Sequence, residues 1–420
     1  MPSRRVSGAT VLAAQVMLVG AVIVSYAVAT PAVQREVRTE IKLPTSPPRV
    51  SPPRLTPLVI APLYDDPEVV SDRELADVLA KVQPRFTPAK LKPNFVEHAL
   101  RTWSVNAKFT DPEVMSGEAM KNYLVDHGKY LASWGDKVDP LLSDQEAGVA
   151  IRWGKLDGAS VHHDHWLASL TEAGVSYDEP VFTPSRRGHT IGDVLQQALW
   201  DFRVDEAETE WSALAFGLWL PPQKEWQLRD GRRVNFDLLA DRLMRGDRKL
   251  GVCAGTHRVY SLMVLIRLDD EFQILSPAAR DRAWKHLEGV RDAIAVSQFP
   301  DGHWPSNWPD GAEAVKKPLD EELYKKVIAT GHHLEWLAIA PTELHPPRDR
   351  ILKAADWVIG TTRGQSATDI IGRYTFFSHV GNSLALWRKT HPADFWRQWE
   401  ADHPTRLNGE PVSALEALTD

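Results

Sequence analysis

HHLEWLAIA, residues 332–340, is a pair of histidines followed by a run that is apolar apart from one glutamate. The chain carries six such polar signatures, each opening an apolar run with helical spacing. Their successive starts are 67, 45, 47, 75 and 47 residues apart, so three of the five intervals are nearly equal. The other five signatures are His98-Ala-Leu, His165-Trp-Leu, Glu210-Trp-Ser-Ala-Leu, His257-Arg-Val-Tyr-Ser-Leu and His379-Val-Gly-Asn-Ser-Leu.

The repeated interval has the length of one helical hairpin, which is two helices of about 14 residues each with their connections. Stacked hairpins whose inner helices each begin with a polar group bring those groups together at one mouth. The recurrence therefore predicts a helical fold and also predicts where its functional site lies.

Residues 71–420 have helical periodicity almost throughout, and few segments alternate like strands. Ser71 and Glu74 have the spacing of a capping box, which starts a helix. Runs that are apolar all round alternate with amphipathic runs such as residues 278–296, which indicates inner and outer helices. We therefore predict an all-α fold, an α/α toroid of about six helical hairpins. A right-handed α-solenoid is the alternative architecture.

The composition is that of a globular protein, since 43% of the 420 residues are hydrophobic and 25% are charged. A net charge of -7 argues against a nucleic-acid-binding protein, which normally has a basic face. The 16 tryptophans, twice the number of tyrosines, indicate a large core, stacking surfaces for sugar rings, or both. The single cysteine, Cys253, excludes an intrachain disulfide.

The N-terminal segments have the pattern of a membrane-attached protein. Residues 1–10 form a short basic tail, and residues 11–33 carry no charge over a length that crosses a bilayer of roughly 30 Å. We predict a transmembrane anchor there, with a signal cleaved after Ala27-Val28-Ala29 as the alternative. Residues 34–70 are a proline-rich linker that would hold the domain away from the membrane, on its outer, exported face.

Two short motifs resemble those of known toroids. Gln298, Gly302 and Trp304 are similar to the QW repeat of squalene-cyclase and prenyltransferase-like toroids. Gly331-His-His-Leu-Glu-Trp is similar to a stretch of N-acylglucosamine 2-epimerase-like toroids. The resemblance implies the α/α-toroid superfamily without a specific family, with the glutamine capping an outer helix and the tryptophan stacking on the next turn. The acid motif of squalene cyclases and the zinc set of protein prenyltransferases are not evident, so those activities are not expected.

The polar signatures supply candidate catalytic groups. Histidine exchanges protons near neutral pH, and a buried glutamate can be tuned towards the same range. We expect these residues to act as acid and base: Glu210, His257, His332 and His333. Tryptophans beside them offer stacking faces, and the starts of inner helices favour anionic groups such as uronate carboxylates. The candidate substrate-binding residues are His165, Trp211, Asp301, Trp304, Trp336 and His379.

These candidates predict a cofactor-free enzyme that acts on a carbohydrate by elimination, epimerisation or hydrolysis. The second hypothesis is a membrane-tethered, non-catalytic scaffold or recognition domain that binds a glycan, peptide or lipid. A terpenoid-type enzyme is the third, and it would need carboxylates at the base of a deep aromatic cavity. Fold alone does not decide among them, because function is carried by sites. The oligomeric state stays open.

No metal site is predicted from the sequence. His162-His-Asp-His has a metal-like composition, but successive helical residues diverge by about 100°, so at most His162 and His165 share a face. Glu335 follows His332 by three residues and could pair with it on one helix face.

Overall fold

The structure is a computed structural model that describes residues 8–31, 33–34, 37, 49–245 and 253–404. Parts of the predicted basic tail and linker, and residues 405–420, lie outside the described residues. The chain divides into two units, residues 1–48 and residues 49–420.

The first unit contains helix α1 (Gly8–Ala27). Helical hydrogen bonding continues locally beyond it, because the N–H groups of Val28 and Gln34 donate to the carbonyls of Val24 and Thr30. A transmembrane helix was expected at residues 11–33; among the described residues, no helix is long and apolar enough to cross a membrane.

The second unit is predominantly α-helical, as predicted. In chain order its helices are α2 (Asp72–Lys81), α3 (Pro93–Trp103), α4 (Gly117–Val125), α5 (His127–Trp134), α6 (His165–Glu172), α7 (Ile191–Asp201), α8 (Glu210–Trp219), α9 (Phe236–Met244), α10 (Thr256–Phe272), α11 (Pro277–Ser297), α12 (Ala312–Lys316), α13 (Leu323–Ile339), α14 (Arg348–Gly364), α15 (Ala367–Gly372), α16 (Tyr374–Trp387) and α17 (Pro392–Asp402). The described strands form antiparallel pairs: β1 (Leu142–Asp144) with β2 (Val149–Ile151), β3 (Pro180–Phe182) with β4 (Arg187–Thr190), and β5 (Glu225–Gln227) with β6 (Arg233–Asn235).

Six of the helices contact one another in a closed cycle, which we call the inner ring. In chain order they are α3, α6, α8, α10, α13 and α16; each contacts the next, and α16 contacts α3. Helices α4, α9, α11, α14 and α17 each pack against the ring helix that precedes them. Except between α6 and α8, each ring helix is therefore followed by a helix packed on the ring.

Burial separates the two kinds of helix. All residues of α8 are buried, which matches a sequence that is apolar nearly all round. Helix α11 is buried only along one stripe, at Ala279, Ala283, Leu287, Val290, Ile294 and Ser297. The predicted alternation of enclosed and amphipathic helices is therefore present at these two helices.

The predicted capping box at the start of α2 is confirmed. The hydroxyl of Ser71 accepts a hydrogen bond from the Glu74 N–H at 3.3 Å, and the Glu74 carboxylate accepts one from the Ser71 N–H at 3.0 Å. Two N–H groups at the helix start thus gain partners.

Residues 49–70, which we call the strap, are bound to the body rather than spaced away from it. The N–H groups of Leu58, Leu63 and Asp66 donate to the carbonyls of Leu218, Ala338 and Trp387 at 2.9, 3.1 and 2.8 Å. Those carbonyls lie in the last turns of α8, α13 and α16, where no intrahelical donor is available. The proline-rich sequence predicted an extended chain but not that its N–H groups bind the ends of three ring helices.

Candidate functional site

The six sequence signatures meet inside the inner ring. Each ring helix contributes one aromatic side chain, and we call the set the six-ring layer: His98, His165, Trp211, His257, His332 and His379. Between neighbours in that order, closing on the first, the ring centroids are 4.6, 4.4, 4.2, 4.1, 3.8 and 5.2 Å apart. The cycle of helices is thus matched by a cycle of aromatic contacts.

The layer is enclosed rather than open at a mouth. Its most exposed member is His98, at 6%. His165, Trp211 and His257 lie at or next to the first residue of their helices, as predicted. The prediction is wrong for the other three, because His98, His332 and His379 lie inside their helices. The signatures therefore converge within the body, where a substrate would have no accessible surface of these side chains to contact.

Glu335 organises two of the imidazoles. One carboxylate oxygen accepts from His332 Nδ1 at 2.9 Å and lies 3.3 Å from His379 Nδ1. The other lies 2.8 Å from the Arg101 guanidinium and accepts from the Asn382 amide at 2.6 Å. Burial alone would raise the pKa of the Glu335 carboxyl, but the Arg101 charge and the imidazole hydrogen bonds bring it well below its ordinary value.

Arg101 connects this carboxylate to a second one. Its guanidinium also pairs with Glu172, with Nη2 donating to the carboxylate at 3.2 Å. The Tyr260 hydroxyl donates to the same carboxylate at 2.7 Å. Sequence reasoning missed Arg101 and Glu172, because nothing in their local sequence distinguishes them from solvated charges.

A second carboxylate–imidazole pair lies across the layer. His165 Nδ1 is hydrogen-bonded to Glu97, which also accepts from the Ser160 hydroxyl at 3.0 Å. Burial raises the pKa of Glu97 to about 8. The neighbouring His98 bonds through Nδ1 to the Asn94 carbonyl at 2.8 Å.

The imidazoles of the six-ring layer are neutral at pH 7. Desolvation lowers the pKa values of His98, His165, His257 and His379 well below the ordinary value, and it also lowers the pKa of His332. A neutral imidazole is not a general acid, and a lowered pKa makes it a weak general base. The layer therefore does not favour the acid–base roles predicted for His257 and His332.

The remaining predicted catalytic residues lie beside the layer. Glu210 is fully buried, with its carboxylate 3.6 Å from the Arg258 guanidinium. His333 faces away from the layer, against Trp308, and accepts from Trp336 Nε1 at 3.1 Å. Burial lowers the pKa of His333 to about 3.

Three of the predicted substrate-binding residues, Asp301, Trp304 and Trp336, lie outside the six-ring layer. Trp304 and Trp336 are fully buried, so their faces pack against protein. Asp301 is exposed, and its carboxylate is bonded to His303 Nδ1 at 2.6 Å on a turn.

Gln298, the first residue of the motif that is similar to the QW repeat, connects two helices. It donates to the Gly302 carbonyl at 2.8 Å and to the Arg350 carbonyl at 2.7 Å, which ties the end of α11 to the start of α14.

An open cavity of about 560 Å³ lies on the other side of His162 from the layer; we call it the acidic pocket. Its lining includes Trp153, His163, Arg203, Asp205, Glu206 and Glu208. His162 separates the two regions, because its ring lies 6.0 Å from that of Trp211 while its Nδ1 bonds to Glu208 at 2.8 Å. The sequence analysis did not predict this pocket. Glu206 and Glu208 lie some forty residues further along the chain than His163 and His162, which they contact, so no local pattern connects them.

Charge and exposure in the acidic pocket are the reverse of those in the layer. His163 Nδ1 lies 3.4 Å from Asp164 and 3.3 Å from Glu206. The Asp164 charge, with smaller support from Glu206, raises the pKa of His163 to about 9 against the effect of burial, so this imidazole is protonated at neutral pH. Beside it, the indole of Trp153 is 53% exposed, with its ring 5.3 Å from that of His163.

Among the described residues, two sets of side chains have ligand atoms within 4.8 Å of one another, a spacing compatible with one metal ion. One is half-buried Cys253 with buried His257 and His332, and the other is His332, Glu335 and His379, all buried. His332 belongs to both sets. Burial raises the pKa of the Cys253 thiol to about 12, so it is not an activated nucleophile.

Comparisons with protein-family models, with curated proteins and with solved structures find no match. No relative therefore supplies a substrate, a partner or a residue role for this chain. The chemistry of the site has to follow from its own geometry.

Proposed function

We propose that the protein is an α/α toroid that binds a carbohydrate in the acidic pocket and acts on it by acid–base chemistry. The observation that carries this proposal is the exposed indole of Trp153 beside a protonated imidazole and several carboxylates. Attachment to a membrane and export of the domain stay predictions from the sequence.

Closure of the inner ring supports the toroid. In an open solenoid each repeat contacts only its neighbours, so the first and last helices stay apart. Here α16, the last ring helix, contacts α3, the first. The hydrogen bonds of Gln298 at the end of α11 also agree with the resemblance to the QW repeat.

The chemistry of the pocket lining supports a sugar ligand. An indole offers an apolar face to the C–H side of a sugar ring, and carboxylates accept hydrogen bonds from its hydroxyls. Arg203, which pairs with Asp205 at 3.0 Å, adds a cation to the lining that can also pair with a uronate carboxylate. In this arrangement His163 serves as the acid and Glu208 as the base.

Binding without turnover is the second candidate. It is favoured by the burial of the residues expected to be catalytic, since His332 and His333 have no exposed surface. A recognition domain would use the same pocket and the same indole, but its carboxylates would serve only as hydrogen-bond acceptors.

The test is calorimetric titration of the full chain with uronic-acid and neutral oligosaccharides, with Trp153→Ala as the variant. Trp399→Ala is the matched control, because that indole stacks on Phe395 and His403 and does not line the pocket. We expect binding of at least one oligosaccharide, weakened at least tenfold by Trp153→Ala only. Product formation that Glu208→Gln abolishes would establish an enzyme, and binding without product would establish a recognition domain. Absence of binding by every oligosaccharide contradicts the proposal.

A further inference from the structure

A thiol and two buried imidazoles converge near the start of α10. The ligand atoms of Cys253, His257 and His332 all lie within 4.8 Å of one another. His257 and His332 are at most 1% exposed, and Nε2 of each is buried without a hydrogen-bond partner in the described part of the chain. A buried polar nitrogen without a partner is costly, and two of them beside a thiol indicate a ligand.

We propose that Cys253, His257 and His332 bind one zinc ion at the inner ring. The two histidines come from α10 and α13, which are neighbours in the ring, and the cysteine comes from the turn before α10. This inference stands apart from the carbohydrate proposal, which concerns residues on the other side of His162. The sequence did not predict the site, because His332 lies far along the chain from the other two ligands.

Glu335 determines which nitrogen of His332 is available to a metal. The Glu335 carboxylate is paired with Arg101 at 2.8 Å and accepts a hydrogen bond from His332 Nδ1 at 2.9 Å. With the proton on Nδ1, the Nε2 atom carries a lone pair, and this is the form of imidazole that binds metal. A carboxylate behind a metal-binding histidine is a common arrangement, because it holds the ring in one orientation.

The turn that carries the thiol is held against the ring. Cys253 and Ala254 have φ values of 50° and 60°, in the left-handed region that residues other than glycine seldom adopt. The Cys253 carbonyl accepts from the Thr256 hydroxyl at 2.7 Å, and the Ala254 carbonyl accepts from Trp308 Nε1 at 3.0 Å. These contacts fix an unfavourable backbone that keeps the thiol at the start of α10.

The surrounding charges favour a cation. After burial, the negative charges of Glu210 and Glu335 are the largest influences that raise the pKa of the Cys253 thiol, and Arg101 opposes them less strongly. The same negative potential stabilises a metal ion at the sulfur. A bound ion deprotonates its thiol ligand outright, so zinc binding releases one proton and forms the zinc–sulfur bond.

Ligand chemistry selects the class of metal. One thiolate and two imidazoles are ligands that zinc prefers, whereas magnesium and calcium prefer oxygen. Three protein ligands leave the fourth position of a tetrahedral zinc ion to water. Cys253 is only half-buried, which gives the ion and this water a route to the site.

The second set of clustered side chains, His332, Glu335 and His379, is less suited to a metal. Arg101 Nη1 lies 2.8 Å from a Glu335 oxygen and 3.0 Å from His379 Nδ1. The guanidinium therefore already engages both groups, and its positive charge repels a metal ion. His379 is a neighbour of the zinc site rather than a ligand, which makes it a matched control within the six-ring layer.

The test uses the full chain, because a buried site is best loaded during folding. The protein is unfolded in urea with a chelator and a phosphine reductant, and refolded with Zn²⁺, with Mg²⁺ or without metal. Bound metal is measured by mass spectrometry after gel filtration. We expect about one zinc ion per chain, no retained magnesium, and a higher Tm with zinc than without metal.

Refolding with Co²⁺ tests the sulfur ligand directly. A cobalt–thiolate bond gives an intense charge-transfer band in the near ultraviolet, which a site made only of nitrogen and oxygen does not give. Cys253 is the single cysteine of the chain, so this band reports on one residue. We expect the band in the wild type, and we expect Cys253→Ser to remove it.

The variants separate ligands from structural histidines. Cys253→Ser, His257→Asn and His332→Asn should lose the zinc, whereas His379→Asn and His333→Asn should keep it. Cys253→Ser is nearly isosteric at a half-buried position, so it is the loss variant that is expected to fold, and circular dichroism checks the fold of all five. Wild-type protein that refolds without zinc, or folded Cys253→Ser that binds zinc as tightly as the wild type, would overturn the proposal.

Glu335→Gln tests the hydrogen bond behind His332. We expect zinc affinity to fall by roughly 10–100-fold, while the cobalt–thiolate band persists at saturating metal because all three ligands remain. An unchanged affinity in folded protein would overturn this role of Glu335.

Discussion

Two histidines two residues apart, His163 and His165, belong to opposite kinds of site. His163 lines the acidic pocket beside Asp164 and Glu206, and these charges raise its pKa to about 9. His165 lies in the six-ring layer, where desolvation lowers its pKa well below the ordinary value although Glu97 is hydrogen-bonded to it. The residue type is the same and an acidic side chain is adjacent in both cases, but the raised pKa of Glu97, about 8, leaves that side chain largely uncharged at pH 7.

The difference teaches that exposure decides what a histidine–carboxylate pair can do. Where water reaches the pair, nearby negative charge dominates and the imidazole is a cation that can give up a proton. Where water is excluded, the cost of desolvating a charge dominates and the imidazole stays neutral. We therefore expect proton chemistry in the acidic pocket and neutral imidazoles in the layer.

The largest effect is expected from Arg101→Met, which removes the cation from the buried network. Glu172 and Glu335 would lose their common partner in an enclosed site, which costs about 3–5 kcal/mol. Urea unfolding followed by circular dichroism measures this loss.

Arg203→Met is the control for that measurement, because Arg203 pairs with Asp205 at 3.0 Å on the exposed side. We expect no measurable change in its free energy of unfolding. If the two arginine variants were equally stable, the layer would not be the low-dielectric environment on which the comparison depends.

A smaller effect is expected from pH, through His163 in the acidic pocket. Because the pKa of His163 is raised, the folded protein binds the imidazole proton more tightly than the unfolded chain does. This difference stabilises the folded state, and the full stabilisation is present below the pKa of the unfolded chain. Between about pH 6.5 and 9 the stabilisation is lost, which lowers the free energy of unfolding by roughly 2 kcal/mol.

His163→Asn removes that titration and should flatten the pH profile in the same window, whereas the profile of Trp399→Ala should follow the wild type. Urea unfolding at several pH values compares the three proteins. A wild-type stability that stays constant from pH 6.5 to 9 would show that Asp164 and Glu206 do not hold a proton on His163.

Local sequence patterns predicted the helices and the converging positions. The capping box at Ser71 and Glu74 and the pairing of Glu335 with His332 involve residues three apart, where helix geometry determines the contact. The recurrence of the signatures indicated one polar or aromatic position for each ring helix. These features depend on spacing along the chain, which the sequence displays directly.

Contacts between distant segments could not be predicted in this way. Arg101 and Glu335 approach each other only because α3 and α13 belong to one closed ring, and neither residue has a distinctive local sequence. The strap was likewise taken for a spacer, since its prolines indicate extension without revealing which carbonyls its remaining N–H groups bind. Burial of the signatures depended on these long-range contacts as well.

An NMR titration of the imidazoles in the full chain tests the comparison of the two histidines most directly. The account predicts that His163 titrates with a pKa of about 9, and that His165 stays neutral throughout the neutral range. His163→Asn assigns the first signal, which should disappear in that variant. A His163 that titrates at the ordinary value for histidine, or a His165 that is protonated at neutral pH, would contradict the account.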